Sequence, residues 1–477
     1  MREAVLIINN HAEYLAKQVK KLGYKVFYLD NYNLEVMFLD IILLRYNRRN
    51  IMFNKDKKDS MCVLPWNHVY TNTDGIVGPC CIANHGIYRG DSLSISNHSV
   101  LEATNSKFMK QLRVDMMNGI ENPACETCYY QENLGNQSVR WGKNNGFKLE
   151  EQRDKLLKNT KKDGELKSLK DIQYLDIRFS NLCNFKCIMC NHMFSSAWHE
   201  DAKKLQSNSW HLYDENDPQV ITAGTDDDLW GKIEPLLHGP LEFIYWAGGE
   251  PLITENHYRI LERLLELEKY PDLWYTTNFS IMEYKDHNVL DMWNKLSEGG
   301  SCITVNASID GSHERGEYIR HGLSWDKFIE NKKTFDEKCP DINFDITSVW
   351  GNTNSLHMTD FFKEMLELKI VDTPNRLTFN DVGGADFLSI TSLSIEYKKK
   401  VEKNISELKE WVESNFNSDD YLEFFKKLDN HIIYMNDKDK SSQLPLYFEN
   451  MKRLDKVRNQ NLFNVFPELI NLKKKEV

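Results

Sequence analysis

The chain has 477 residues, 41% of them hydrophobic, and a formal net charge of -11 with a pI near 5.8. That is enough apolar material for two or three buried cores without disulfide staples, and the acidic balance argues against nucleic acid as a partner. No run approaches the roughly 20 apolar residues of a membrane span and no signal peptide is recognisable, so the expectation is a cytoplasmic protein with no membrane partner. Eight of the ten cysteines fall in clusters, and in a reducing compartment clustered thiols hold metal or do redox work more often than they pair.

Residues 1–51 begin with an apolar pattern of strand, amphipathic helix and strand, a short βαβ-like extension that either docks on the next domain or precedes a start at Met52. Residues 52–146 read as a small module. In it "CVLPWNHVYTNTDGIVGPCC" gives two strand-like runs around the hairpin-turn signal Thr73-Asp74-Gly75, with a helix from about Ser106 to Gly119 after them and a second thiol pair in "NPACETCYYQ". Residues 147–170 are charged and poor in aromatics, a helical or solvated linker.

Across 171–385 six strand-like runs, "IQYLDIRF", "LEFIYWAGG", "LWYTTNF", "CITVNASID", "NFDITSVW" and "RLTFNDV", alternate with helical segments such as Thr254 to Lys269. That rhythm predicts an α/β fold, a partial (β/α)6 parallel barrel. Residues 386–477 read as a helical C-terminal region, whose Trp411, Tyr421, Phe424, Phe425 and Tyr434 are expected to pack helices together. Asp455 and Arg458 are its candidate polar anchors on the barrel.

The first barrel strand leads straight into "SNLCNFKCIMCNHMF", with Cys183, Cys187 and Cys190 at spacing C-x3-C-x2-C. Thiolates so placed can each reach a different iron of one cubane, whereas the usual cluster takes four, so one iron stays open to a ligand. A structural zinc site with His192 as fourth ligand is the plainer alternative.

This loop resembles the hallmark of the radical S-adenosylmethionine enzymes. The resemblance implies that Cys183, Cys187 and Cys190 hold a catalytic 4Fe-4S cluster whose open iron chelates S-adenosyl-L-methionine. Its one-electron reduction, by a donor such as flavodoxin or ferredoxin, would release a 5'-deoxyadenosyl radical. "WAGGEPL" resembles the family's Gly-Gly-Glu-Pro motif, so Gly248, Gly249, Glu250 and Pro251 are expected around the methionyl amino group, with glycine allowing close backbone approach. By the same resemblance Asn278 and Ser308 face the ribose or methionine end and Arg320 clamps the carboxylate, with Arg315 as competitor. Met189 stands where the family often has an aromatic near adenine, and a proline expected after the sixth strand is absent at Gly384-Ala385.

Cys62, Gly75 and Cys80 reproduce the hairpin of the auxiliary-cluster extension called SPASM or twitch, here ahead of the barrel instead of behind it. Cys125 and Cys128 add a C-x2-C pair. Cys62, Cys80, Cys125 and Cys128 are the simplest ligand set for a second, auxiliary 4Fe-4S cluster, with Cys81 as the substitute for Cys80 and a closed zinc site as the alternative. Glu132, Ser138 and Arg140 are candidates for linking this module to the barrel or are ordinary surface groups. Cys302 and Cys339 read as small core residues, and Asp176 and Arg178 as an ion pair or as barrel-facing groups.

The function expected is hydrogen abstraction from a peptide or small-metabolite substrate. The alternatives are a non-catalytic iron-sulfur or zinc scaffold, or an activase acting on a partner protein.

Overall fold

The computed structural model describes residues 2–6, 24–28, 59–133, 137–206, 213–383 and 385–474. The chain divides into two compact units, Met1–Met61 with Asp115–Glu121, and Cys62–Val114 with Asn122–Val477. In the first, β1 (Arg2–Leu6) and β2 (Tyr24–Tyr28) pair in parallel; the helix expected between them lies outside the described residues.

The second unit is built on one eight-stranded sheet. Its strands are β3 (His68–Thr71), β4 (Val77–Gly78), β5 (Tyr174–Ile177), β6 (Phe243–Trp246), β7 (Asp272–Thr277), β10 (Ile303–Ser308), β11 (Asn343–Trp350) and β12 (Leu377–Asp381), in the spatial order β12-β11-β10-β7-β6-β5-β3-β4. A separate small hairpin, β8 (Glu283–Tyr284) with β9 (His287–Asn288), comes after β7. The six predicted barrel strands are all present and run parallel, in chain order, as an open α/β arrangement. Helices between them, including Asp226–Leu237, Glu255–Glu266, Val289–Gly299, Trp325–Lys338 and Met358–Glu367, return the chain for each parallel addition.

Alternation along the strands sorts the two faces. In β11 every second residue, Phe344, Ile346, Ser348 and Trp350, is buried under the helices. On β5 to β10 the same layer holds Leu175, Ile177, Ile244, Trp246, Leu273, Tyr275, Val305 and Ala307. The opposite, inner face carries Tyr70, Asp176, Tyr245, Thr276 and Asn306, polar or amphipathic groups in neighbouring register.

The sequence does not announce that the hairpin joins this sheet. β3 pairs in parallel with β5 (Tyr70 opposite Asp176) while β4 turns back antiparallel beside it. The turn is the expected one: Gly75 takes φ +76°, and a Cβ there would stand 2.3 Å from Ala223 Cβ. The helical C-terminal region covers the far edge: Phe424 is buried near Phe362 and Phe379, and His431 stacks 4.0 Å over Trp350 with its Nδ1 2.6 Å from Asp381. Tyr434, by contrast, lies on the surface.

Candidate metal and cofactor site

The three-cysteine loop is pinned from behind at several points. Asn181 is the first clamp: its amide donates to the His192 carbonyl (2.7 Å) and its Oδ1 accepts from the Ile221 amide (2.8 Å). The Lys186 and Ile188 amides donate to the carbonyls of His321 (2.9 Å) and Ile319 (2.8 Å), so the stretch between Cys183 and Cys190 runs along the segment after β10. Trp198 Nε1 closes the loop by donating to the Cys187 carbonyl at 2.8 Å. The result is three thiols on fixed backbone, each within electrostatic reach of another; burial pushes Cys183 up to about 12 and Cys187 and Cys190 also upward. Metal binding at such thiols displaces protons.

His192, the candidate fourth ligand, is taken up otherwise: its Nε2 is 3.1 Å from Asp217. Among the described residues no three His, Cys, Asp or Glu side chains converge closely enough to chelate one metal ion. A cube of four irons draws its thiolates from more widely spaced positions than one tetrahedral ion does.

The glycines after β6 are needed for contact with this loop. Gly248 and Gly249 have φ of +80° and +54°, and a Cβ on Gly249 would fall 2.4 Å from the Leu182 carbonyl oxygen. The next amide, of Glu250, donates to that same carbonyl at 2.7 Å. Glu250 itself is buried. Its Oε1 accepts from Thr277 Oγ1 (2.6 Å) and the Leu252 amide (3.1 Å), and its Oε2 from the Asn278 amide (2.7 Å), tying the β6 end to the β7 end. Burial outweighs these donors and pushes its carboxyl up to about 7. Asn278 reaches back to the loop through Asn184 Oδ1 (2.8 Å). Pro251 is buried, as is Ser308 at the end of β10, and Met189, within the loop itself, packs partly buried against the core.

The two arginine candidates separate. Arg320 lies buried, its Nε 2.8 Å from Asp310 Oδ2 and one terminal nitrogen 3.8 Å from Cys187 Sγ. Arg315 instead pairs with Glu468 at 2.6 Å and lies over Phe466, away from the thiols. The loop, the glycine turn, Asn278, Ser308 and Arg320 thus gather where β5, β6, β7 and β10 end, the rim at which parallel α/β sheets hold their ligands. Of Gly384-Ala385, where the expected proline is absent, Gly384 lies outside the described residues.

The second thiol set stands at the other end of the same strands. β4 runs back along β3, so Cys80 lies level with His68, whose Nδ1 is 3.3 Å from the Pro79 carbonyl, and Cys62 precedes β3 at that same end. Cys62 lies within electrostatic reach of Cys125 and Cys128, and Cys80 of Cys62 and Cys125. Cys81 is turned differently: its strongest charged neighbours are Asp176 and Arg178 on the sheet, and burial pushes its thiol up to about 11. Glu132 bonds Arg140 (Nε to Oε1, 3.1 Å) and Ser138, which joins the helices Glu126–Asn133 and Val139–Gly146 to each other.

Between the two thiol sets lies the inner face. Asp176 is fully buried, with Arg178 Nε 3.4 Å from Oδ1; burial pushes its carboxyl up to about 6 against the pull of Arg178. Its Oδ2 has no nitrogen or oxygen partner among the described residues, the Cys81 thiol being its neighbour. Lys143 holds its ammonium 4.4 and 4.3 Å from the ring centres of Tyr174 and Phe243. Sequence reasoning passed over Lys143, which sits in an unremarkable polar run and gains meaning only from the rings beneath it. A cleft of about 570 Å³ lined by Asp91, Lys107, Lys110 and Asp163 contains no cysteine.

Residues 62–129 match the family model of SPASM, an iron-sulfur cluster-binding domain. No curated protein matches the chain. Among solved structures, the chain is similar to native anSMEcpe with bound AdoMet and Cp18Cys peptide at 19% identity and a TM-score of 0.34, over 49% of this chain and 58% of that one. It is similar to Streptococcus suis SuiB bound to precursor peptide SuiA at 14% identity and a TM-score of 0.33, over 66% of each chain. The chain therefore spans less than two-thirds of these proteins. No helix among the described residues is long and apolar enough to cross a membrane.

Proposed function

We propose that this chain, whose residues 62–129 match the SPASM iron-sulfur cluster-binding family, is a radical S-adenosylmethionine enzyme. The observation that carries the reading is the loop Cys183–Cys190: three thiols locked against the glycine turn at Gly248–Gly249, with His192 engaged by Asp217 instead of completing the set. Three cysteines suit a 4Fe-4S cluster with one open iron. Held by Cys183, Cys187 and Cys190 beside S-adenosylmethionine, with a flavodoxin or ferredoxin as electron donor, such a cluster would supply one-electron chemistry for abstracting hydrogen from substrate. The chain's own contribution is position. Gly248 and Gly249 let backbone approach the cofactor, Glu250 and Asn278 hold two strand ends at one spacing, and Arg320 places a cation beside Cys187.

Cys62, Cys80, Cys125 and Cys128 are the seat of the auxiliary cluster, and the substrate, a peptide or small metabolite, lies on the inner face between the two. There Asp176, buried against Arg178 and Cys81, and Lys143, over the rings of Tyr174 and Phe243, set the charge of that face.

The test is anaerobic reconstitution, reduction and addition of S-adenosylmethionine with 5'-deoxyadenosine quantified. The protein should form it, and Cys187→Ala should not. Equal formation by both would overturn the assignment.

A further inference from the structure

Nothing in the proposed reaction gives the C-terminal helix Leu444–Arg458 a task, yet its last residue reaches the back of the three-cysteine loop. The Arg458 side chain is 0% exposed. Its Nε is 2.8 Å from Asp201 Oδ2, and a terminal nitrogen donates to the Lys186 carbonyl at 2.7 Å. The guanidinium carbon lies 4.5 Å over the ring of Trp198, the same indole that donates to the Cys187 carbonyl.

Asp201 is not short of a partner without Arg458: Lys186 Nζ stands 2.9 Å from its Oδ1. One buried carboxylate therefore faces two cations. Asp455, one turn earlier on the helix, is committed to the Tyr318 hydroxyl (2.8 Å) and the Leu462 amide (2.8 Å). Behind the loop Arg320 is balanced by Asp310, while Arg458 and Lys186 share Asp201, which leaves one positive charge in excess. Burying an uncompensated cation is costly, and a purely structural anchor is served as well by a neutral donor.

We propose that Arg458 is a positioning residue for the three-cysteine loop whose charge also raises the reduction potential of the cluster held there. The inference rests on the radical-enzyme reading of that loop. An electron entering the cluster adds negative charge, and a buried cation a short distance behind one thiolate favours the reduced state; net charge and hydrogen bonding are among the factors that set such potentials. The charge is delivered from a helix 257 residues away in sequence from Asp201, so the C-terminal region belongs to the redox machinery.

The experiment is a redox titration monitored by electron paramagnetic resonance on the full chain, anaerobically reconstituted, without S-adenosylmethionine. Cys187→Ala identifies which signal belongs to the loop cluster; if it removes none, the cluster reading fails and not this one. In Arg458→Gln the loop cluster's reduction equilibrium should fall about tenfold, about 59 mV for one electron, with the auxiliary signal unmoved, and Arg458→Lys should restore most of it. Asp201→Asn breaks the same anchor but removes a negative charge, so its potential should move the opposite way. Shifts of the same sign in Arg458→Gln and Asp201→Asn, or none in either, overturn the proposal.

Discussion

Replacing Glu250 by glutamine changes almost no volume and tests how a buried carboxyl ties the ends of β6 and β7 together. The wild-type carboxylate accepts from three donors, Thr277 Oγ1, the Leu252 amide and the Asn278 amide. Glutamine offers one oxygen and one amino group, so in either orientation a donor meets a donor, at a cost of about 1–3 kcal/mol. The second part depends on pH. Burial raises the folded-state carboxyl from the usual 4.5 to about 7, so the folded protein binds this proton more tightly than the unfolded chain. The stability it contributes is fully present below pH 4.5 and lost as pH rises through 7, by about 3 kcal/mol in all. Glu250→Gln has no such proton, and groups common to both proteins cancel in the difference. Urea unfolding of the cluster-free protein, monitored by tryptophan fluorescence between pH 4.5 and 8, should show the wild-type advantage shrinking as pH rises. Parallel pH profiles for the two proteins would refute the reasoning, because Glu250 would then titrate alike folded and unfolded.

Cys80→Ala should lower bound iron by about one cluster, roughly four irons, while Cys81→Ala should leave iron unchanged; the reverse pattern in an iron and sulfide assay would exchange the two roles. Gly322 has φ +115°, and a Cβ there would stand 2.8 Å from Phe185 Cδ1 and 3.0 Å from the Asn184 carbonyl oxygen. Gly322→Ala should therefore cost roughly 1–3 kcal/mol and reduce loop-cluster occupancy, and a full complement of iron with an unchanged melting temperature would count against it.

The barrel strands were legible because each is a bounded apolar or alternating run with a helical pattern behind it, and Cys183, Cys187 and Cys190 because their spacing is itself chemistry. What stayed hidden depends on distant partners. "HVYT" carries no mark of parallel pairing with β5, since that pairing is written in Tyr174–Ile177, a hundred residues on. The charged stretch 147–170 reads as a linker, yet its helix Leu149–Lys158 buries Leu149 and Leu156, and Arg113 donates to the Gly164 carbonyl at 2.8 Å. Two leucines among so many charges are too thin a signal to read. Adjacent Cys80 and Cys81 are identical as letters; only the turn out of β4 sends one toward the other thiols and its neighbour toward Asp176.

Because the hairpin is a strand of the sheet itself, the two thiol seats are held apart by a ruler. β3 and β5 are four residues each and pair residue for residue, so the seats stand off by a strand length, roughly 13 Å of rise, and not by how two bodies happen to dock. A two-residue insertion in both strands would lengthen that span by roughly 7 Å. Removing the hairpin would not release an independent barrel; it would strip β5 of a neighbour and leave a raw sheet edge beside the three-cysteine loop.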